Sequence, residues 1–136
     1  MNSANQPVVA IVNQVTSTSG EAYDSFIPSQ VTGTIVLPLI MDHNSGWYTG
    51  FNVQNVGSAA TDVTCTFTNT SYTVTGHLEA GAVLNAIQNG KVNGTNRYVG
   101  SGTCTATGSG AKIVAVVNEI APGAGDGLLV YEGINQ

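Results

Sequence analysis

The chain has 136 residues, a formal net charge of −5, and only 8% charged against 42% hydrophobic side chains. That is enough apolar material for one core, too little length for two, and too hydrophobic a balance for intrinsic disorder. Its fixed cations are Lys91, Arg97 and Lys112, too few and too scattered to neutralise phosphates or hold an anionic membrane surface, so nucleic-acid binding and polybasic lipid attachment are set aside.

No apolar run reaches the ~20 residues of a membrane-spanning helix. Met1 to Gln6 has neither the basic start nor the apolar stretch of a secretory leader, so a secreted chain of this sequence would be a mature form or, as Met1 slightly favours, a recombinant version of one. Thr, Ser, Asn and Gly are abundant. A surface hydrated by hydroxyls and amides rather than by ions is expected of a secreted or cell-surface β-protein.

Strand signals bounded by Gly, Asn, Ser or Pro recur along the chain. They predict strands at 7–15, 21–27, 31–40, 47–55, 61–69, 71–77, 82–88, 96–106, 111–120 and 127–134. In the first, Val8, Val9, Ile11, Val12 and Val15 form an apolar set that would be an exposed patch if it hung free. Phe51 to Asn55 alternates and then turns through Val56 to Ala60. The clearest alternation runs from Asp62 to Thr68, with Val63, Cys65 and Phe67 facing one way and Asp62, Thr64, Thr66 and Thr68 the other, the pattern of a half-buried strand. Gly81 to Gln88 reads as a strand, with a short helix as the alternative. Ile113 to Val117 is apolar on both faces and therefore requires cover on both, from a central position or from a neighbouring subunit.

Cys65 and Cys104 each sit in a Thr-rich strand without any CxxC or His-rich context. A disulfide between neighbouring strands is the preferred reading, and two buried thiols acting as small hydrophobes the alternative. Many short strands joined by tight turns predict an all-β fold, an antiparallel β-sandwich, with a closed barrel as the competing architecture.

The chain also repeats itself. Pro7 to Val15 (PVVAIVNQV) matches Lys112 to Ile120 (KIVAVVNEI) without gaps, at a distance of 105 positions. The match resumes with Gly20-Glu21 against Gly125-Asp126. After a three-residue insertion, Tyr23-Asp24-Ser25-Phe26 corresponds to Tyr131-Glu132-Gly133-Ile134. Each copy reads as one hairpin. The division expected is an N-terminal hairpin or donor strand at 1–30, repeating 112–136, ahead of a sandwich at 31–136. A hairpin alone is marginal in water and must pack on something. It can add to its own sheet edge, dock on a neighbouring subunit and rebuild a tandem array head to tail, or be the remnant of a preceding repeat.

Trp47 to Ser58 (WYTGFNVQNVGS) resembles the W-x-T-G-(I/F)-x-V-Q-N-x-G signature of tandem β-sandwich repeats in secreted and surface proteins of filamentous environmental bacteria. Ile113 to Gly133 is similar to that family's last hairpin, P-I-V-A-V-V-N-E followed by G-D and Y-x-G, and Val36 to Met41 also fits. The likeness covers most of the chain and weakens between 70 and 100. It implies an Ig-like, adhesion-type sandwich outside the cell, carries no catalytic residues, and implies that Trp47 packs in the strand framework.

Nothing in the sequence forms a catalytic constellation. Asp42 and His43 adjoin in a loop, where neighbours are not expected to aim at one another, and no Ser stands in a G-x-S-x-G elbow. His77 reads as a solvated turn residue. Glu21 and Asp24 mirror Asp126 and Glu132 in the repeat, which points to a structural role in the hairpin rather than to calcium, whose six to eight oxygens are not at hand. Lys112 and Asn118 lie on one strand and cannot close an isopeptide bond. Asn69-Thr70-Ser71 and Asn93-Gly94-Thr95 are sequons for N-glycosylation.

The expectation is thus a non-catalytic extracellular structural module, without cofactor or metal, whose partners are copies of itself or tandem neighbours. Val8, Val9, Ile11, Val12 and Val15 form its assembly strand. The alternative is a carbohydrate- or ligand-binding module in which Trp47 and Tyr48 stack on a sugar.

Overall fold

The computed structural model describes residues 10–15, 17, 19–123 and 125–136. Val8 and Val9 of the expected assembly strand lie outside the described residues. The strands are β1 (Ile11–Val15), β2 (Gly20–Asp24), β3 (Thr34–Asp42), β4 (Tyr48–Asn55), β5 (Thr61–Phe67), β6 (Thr73–Leu78), β7 (Val83–Ile87), β8 (Tyr98–Ala106), β9 (Ile113–Ile120), β10 (Leu128–Glu132) and β11 (Ile134–Asn135), with a 3-10 turn at Pro28–Gln30. Every strand expected from the sequence is present. The stretch 82–88 is strand β7 rather than a helix, because Leu84 and Ala86 point into the core while Val83, Asn85 and Ile87 alternate outward.

The strands form a sandwich of two antiparallel sheets, plus a separate hairpin. One sheet has the order β10-β9-β4-β7 and the other β11-β3-β8-β5-β6, while β1 and β2 pair only with each other. Ile35, Leu37 and Ile40 of β3, Val63, Cys65 and Phe67 of β5, and Cys104 of β8 face Phe51, Val53, Ile113, Ala115 and Val117 of the other layer. Phe51 meets Phe67 across the interior at 6.1 Å between ring centroids. Burial of this layer is the main stabilising term. The threonine face of β5 is outside, as its period of two requires.

Strand β9 is central in its sheet, between β10 and β4, and its outer face is covered at Val114 too. Val114 is buried where Phe26, Pro28 and Val31 of the segment after β2 line a hollow with it. The double-sided apolar pattern of 113–117 is thus accounted for within one chain.

The last expected strand is divided. Gly133 lies between β10 in one sheet and β11 in the other, so the chain changes layers there. Its N–H donates to the Ala115 carbonyl at 2.8 Å. A Cβ at this position would overlap the Ile35 side chain, so only glycine passes between the layers without displacing the core.

Candidate functional site

The N-terminal hairpin reproduces the C-terminal one in register. Ile11 pairs with Asp24, Val12 with Tyr23 and Asn13 with Ala22. Their counterparts in the repeat pair in the same way, Val116 with Glu132, Val117 with Tyr131 and Asn118 with Val130. The bond closing each hairpin is also shared: Ser25 N–H donates to Ala10 O at 2.9 Å, as Gly133 N–H donates to Ala115 O. The connection is three residues longer between β9 and β10 than between β1 and β2, the insertion read from the sequence.

The two copies sit in different surroundings. Val117 and Glu119 are buried inside the sandwich, whereas their counterparts Val12 and Gln14 line an open hollow of about 600 Å³ facing Asn52, Asn85, Val116 and Asn118 on the outside of the β9–β4–β7 sheet. Strand β2 lies beside β10 without joining its hydrogen-bonded ladder. The other face is open, with Ile11 67% and Val15 74% exposed, and Val12 at the hollow is itself 40% exposed. Three of the five expected assembly-strand residues are therefore described, and all three are accessible.

Cys65 and Cys104 are joined in a disulfide. They stand directly opposite one another on β5 and β8, fully buried, which settles the choice between bridge and free thiols.

A second cluster escaped the sequence reading. On the inner face of the four-stranded sheet, Thr49 of β4 stands opposite Glu119 of β9. Its hydroxyl donates to Glu119 Oε2 at 2.6 Å and accepts the Met41 N–H at 2.7 Å. On the other side Gln88, one residue beyond β7, donates its backbone N–H to Thr49 O at 2.7 Å. Gln88 is 0% exposed and Glu119 1%, and Gln88 Oε1 and Nε2 and Glu119 Oε1 have no hydrogen-bond partner. Tyr131 completes the cluster: its hydroxyl donates to the Leu39 carbonyl and accepts the Leu39 N–H at 3.3 Å. Leu39 is presented by the irregularity in β3 between Leu37 and Ile40, where Pro38 supplies no N–H.

Burial pushes the Glu119 carboxyl up to about 7, against the hydrogen bond from Thr49 and the nearby Tyr131 hydroxyl, which favour its ionised form. Burial and the neighbouring Glu119 charge push the Tyr131 hydroxyl above its ordinary range. The sequence did contain the signal. Thr49 shares parity with Phe51 and Val53, Gln88 with Leu84 and Ala86, and Glu119 with Ala115 and Val117, so each polar residue continues a core-facing row.

Asp42 and His43 do aim at one another, contrary to expectation, with His43 Nδ1 2.7 Å from Asp42 Oδ1. His43 has a positive φ of 51°, which turns the ring back on its neighbour. The fully buried Asp42 carboxylate also accepts the backbone N–H groups of Gly90 at 2.8 Å and of Lys91 and Val92 at 3.0 Å each. It fills a nest in the loop after β7.

His77 contacts Asp62 at 2.7 Å and Glu79 at 3.6 Å on the exposed face. The hydrogen bond and charge of Asp62 raise its pKa, Glu79 adding to them. Trp47 is not part of the core, contrary to the framework role the resemblance implies. It is half-buried at a tight turn, exchanging backbone hydrogen bonds with Asn44. Comparison with protein-family models, with curated proteins and with solved structures found no match.

Proposed function

We propose that this chain is a non-catalytic structural module of the cell exterior, an Ig-like sandwich at 31–136 that assembles head to tail through the hairpin in 1–30 into a surface filament or array. The observation that carries this reading is the duplicated hairpin, equal in register to β9–β10 yet with Ile11, Val12 and Val15 open to solvent. The sandwich already contains its own β9–β10, so the N-terminal copy is surplus to it. Adding strands to another molecule's sheet edge supplies backbone hydrogen bonds whatever the side chains, and head-to-tail contacts that do not close give filaments. Such an edge is offered by β7, which carries the exposed Val83 and Ile87.

A buried disulfide is consistent with an oxidising compartment. Among the described residues no helix is long and apolar enough to cross a membrane. The likeness of 47–58 and 113–133 to surface-protein repeats supports the same location.

Light scattering across a concentration series, with negative-stain microscopy, tests the assembly. The full chain should grow with concentration, and a chain lacking residues 1–27 should stay monomeric. A strictly monomeric full chain, unchanged by that deletion, overturns the proposal. The second reading, a carbohydrate-binding module, rests on the half-buried Trp47 beside Tyr48. It requires indole fluorescence to respond to added glycans.

A further inference from the structure

The row Gln88–Thr49–Glu119 has the composition of a bond-forming site. A hydroxyl becomes a competent nucleophile when an adjacent base takes its proton, and a base works best with a pKa near the ambient pH. Thr49 Oγ1 donates to Glu119 Oε2 at 2.6 Å, and burial brings that carboxyl to about 7. The Met41 N–H occupies one lone pair of the hydroxyl and leaves the other free. On the opposite flank Gln88 pairs its backbone with Thr49, and its carboxamide is buried with both polar atoms unpartnered.

We propose that Thr49 and Gln88 become joined by an intramolecular ester that staples β4 to the end of β7. The Thr49 hydroxyl proton passes to Glu119 Oε2 as Oγ1 attacks Gln88 Cδ. The Cδ–Nε2 bond then breaks, and the nitrogen leaves as ammonia carrying the proton returned by Glu119. No oxidant, reductant or cofactor enters the balance.

The ladder sets the spacing of the pair. Backbone pairing through Gln88 N–H and Thr49 O sets the two residues side by side on one face. Directly opposed Cβ atoms in an antiparallel ladder are ~5 Å apart, about the span of the chain Cβ–Oγ1–Cδ–Cγ–Cβ that the ester would form. The sheet holds the two backbones side by side before reaction, which removes part of the entropic barrier. Two further effects drive the exchange forward. A buried primary amide without acceptors is costly, and the ester has no N–H to satisfy. Ammonia escapes into dilute solution, while exclusion of water from the core protects the ester from hydrolysis.

A lysine isopeptide staple lacks its nucleophile in the core, since Lys91 and Lys112 are exposed. A buried water bridging Gln88 and Glu119 would satisfy the same polar atoms with no bond formed, so the decisive quantity is mass.

The intact mass of the folded full chain, measured after reduction of the disulfide, should lie ~17 Da below the sequence value. Proteolysis should yield a joined fragment carrying both Thr49 and Gln88, which alkaline hydroxylamine separates. Thr49→Ser should retain the loss, whereas Thr49→Val and Glu119→Gln should restore the full mass, each checked for folding by circular dichroism. Full mass in the unmodified chain overturns the proposal. So does a loss that persists in Thr49→Val, because ammonia would then have left from elsewhere, such as the Asn89-Gly90 or Asn93-Gly94 steps. This outcome is independent of assembly, which is read by particle size.

Discussion

Cys65 lies directly across the ladder from Cys104, and the bridge between them joins β5 to β8, two inner strands of the five-stranded sheet. The strands are already neighbours, so the bridge positions nothing that hydrogen bonds do not. Its contribution is exerted on the unfolded chain, where it closes a loop between residues 39 apart. The chain-entropy relation gives ~4 kcal/mol for such a loop, with measured values commonly at 2–4. Replacing both cysteines with alanine should therefore lower the free energy of unfolding by about 2–4 kcal/mol, read from urea midpoints at unchanged slope. An unchanged midpoint would show that the bridge is thermodynamically idle.

Gly133 carries the second prediction. The chain crosses from one sheet to the other at this residue, and a Cβ there would overlap Ile35 and press on Ala115 at 3.1 Å and Leu37 at 3.2 Å. These neighbours are buried and fixed by strands on both sides. Gly133→Ala should destabilise the sandwich by about 1–3 kcal/mol, the usual cost of overpacking a close-packed core. The counterpart in the N-terminal hairpin is Ser25, so that copy tolerates a side chain where the sandwich does not. Thermal melts of Gly133→Ala and Ser25→Ala should accordingly move by unequal amounts, with the glycine variant losing far more.

Much of this fold is legible in the chain because its strands announce themselves twice, by alternation and by the turns between them. Asp62 to Thr68 needs no tertiary information, since every second residue is apolar. The repeat is equally legible, and its register follows from the alignment, because a single slip would turn Tyr23 to the opposite face. What periodicity cannot show is which strands become neighbours, so the pairing of β7 with β4, and hence of Gln88 with Thr49, was not readable. Nor was the Asp42–His43 contact, which depends on a left-handed backbone at His43. Trp47 misled for a related reason. It adjoins a core strand, but the bridge to Asn44 holds it in a turn.

Asp42 predicts a local effect distinct from its effect on the whole. Its carboxylate accepts three successive backbone N–H groups, from Gly90 to Val92, in a loop without regular pairing of its own. Asp42→Ala removes the only acceptor recorded for these donors among the described residues, and the penalty for orphaned buried donors is about 1–3 kcal/mol each where water cannot enter. Because Gly90 and Lys91 are exposed, water replaces part of the loss there. The expected result is a stability decrease of about 1–3 kcal/mol, with amide exchange at 90–92 accelerating well beyond that of β5. Uniform exchange changes across the sandwich would contradict a loop-specific role.

Glu119 makes stability depend on pH in a direction opposite to that of a salt-bridged acid. Its folded pKa, about 7, stands above the ordinary value of 4.5, so the fold favours the neutral acid. Below about 4.5 the group is protonated in both states and adds no penalty. As pH rises from there to about 7, the unfolded chain ionises first and stability falls. Above that range both states are ionised and the loss levels off at about 3 kcal/mol. Closing the proposed ester would remove the Thr49 donor and push the carboxyl further up, so the sign holds for either form. Glu119→Gln keeps an acceptor for Thr49 and removes the charge. Urea unfolding at pH 5 and pH 8 should show the parent chain losing more stability over that interval than the variant. Equal losses in the two proteins would mean that Glu119 is ionised at no cost, and that its burial is relieved by a partner such as bound water.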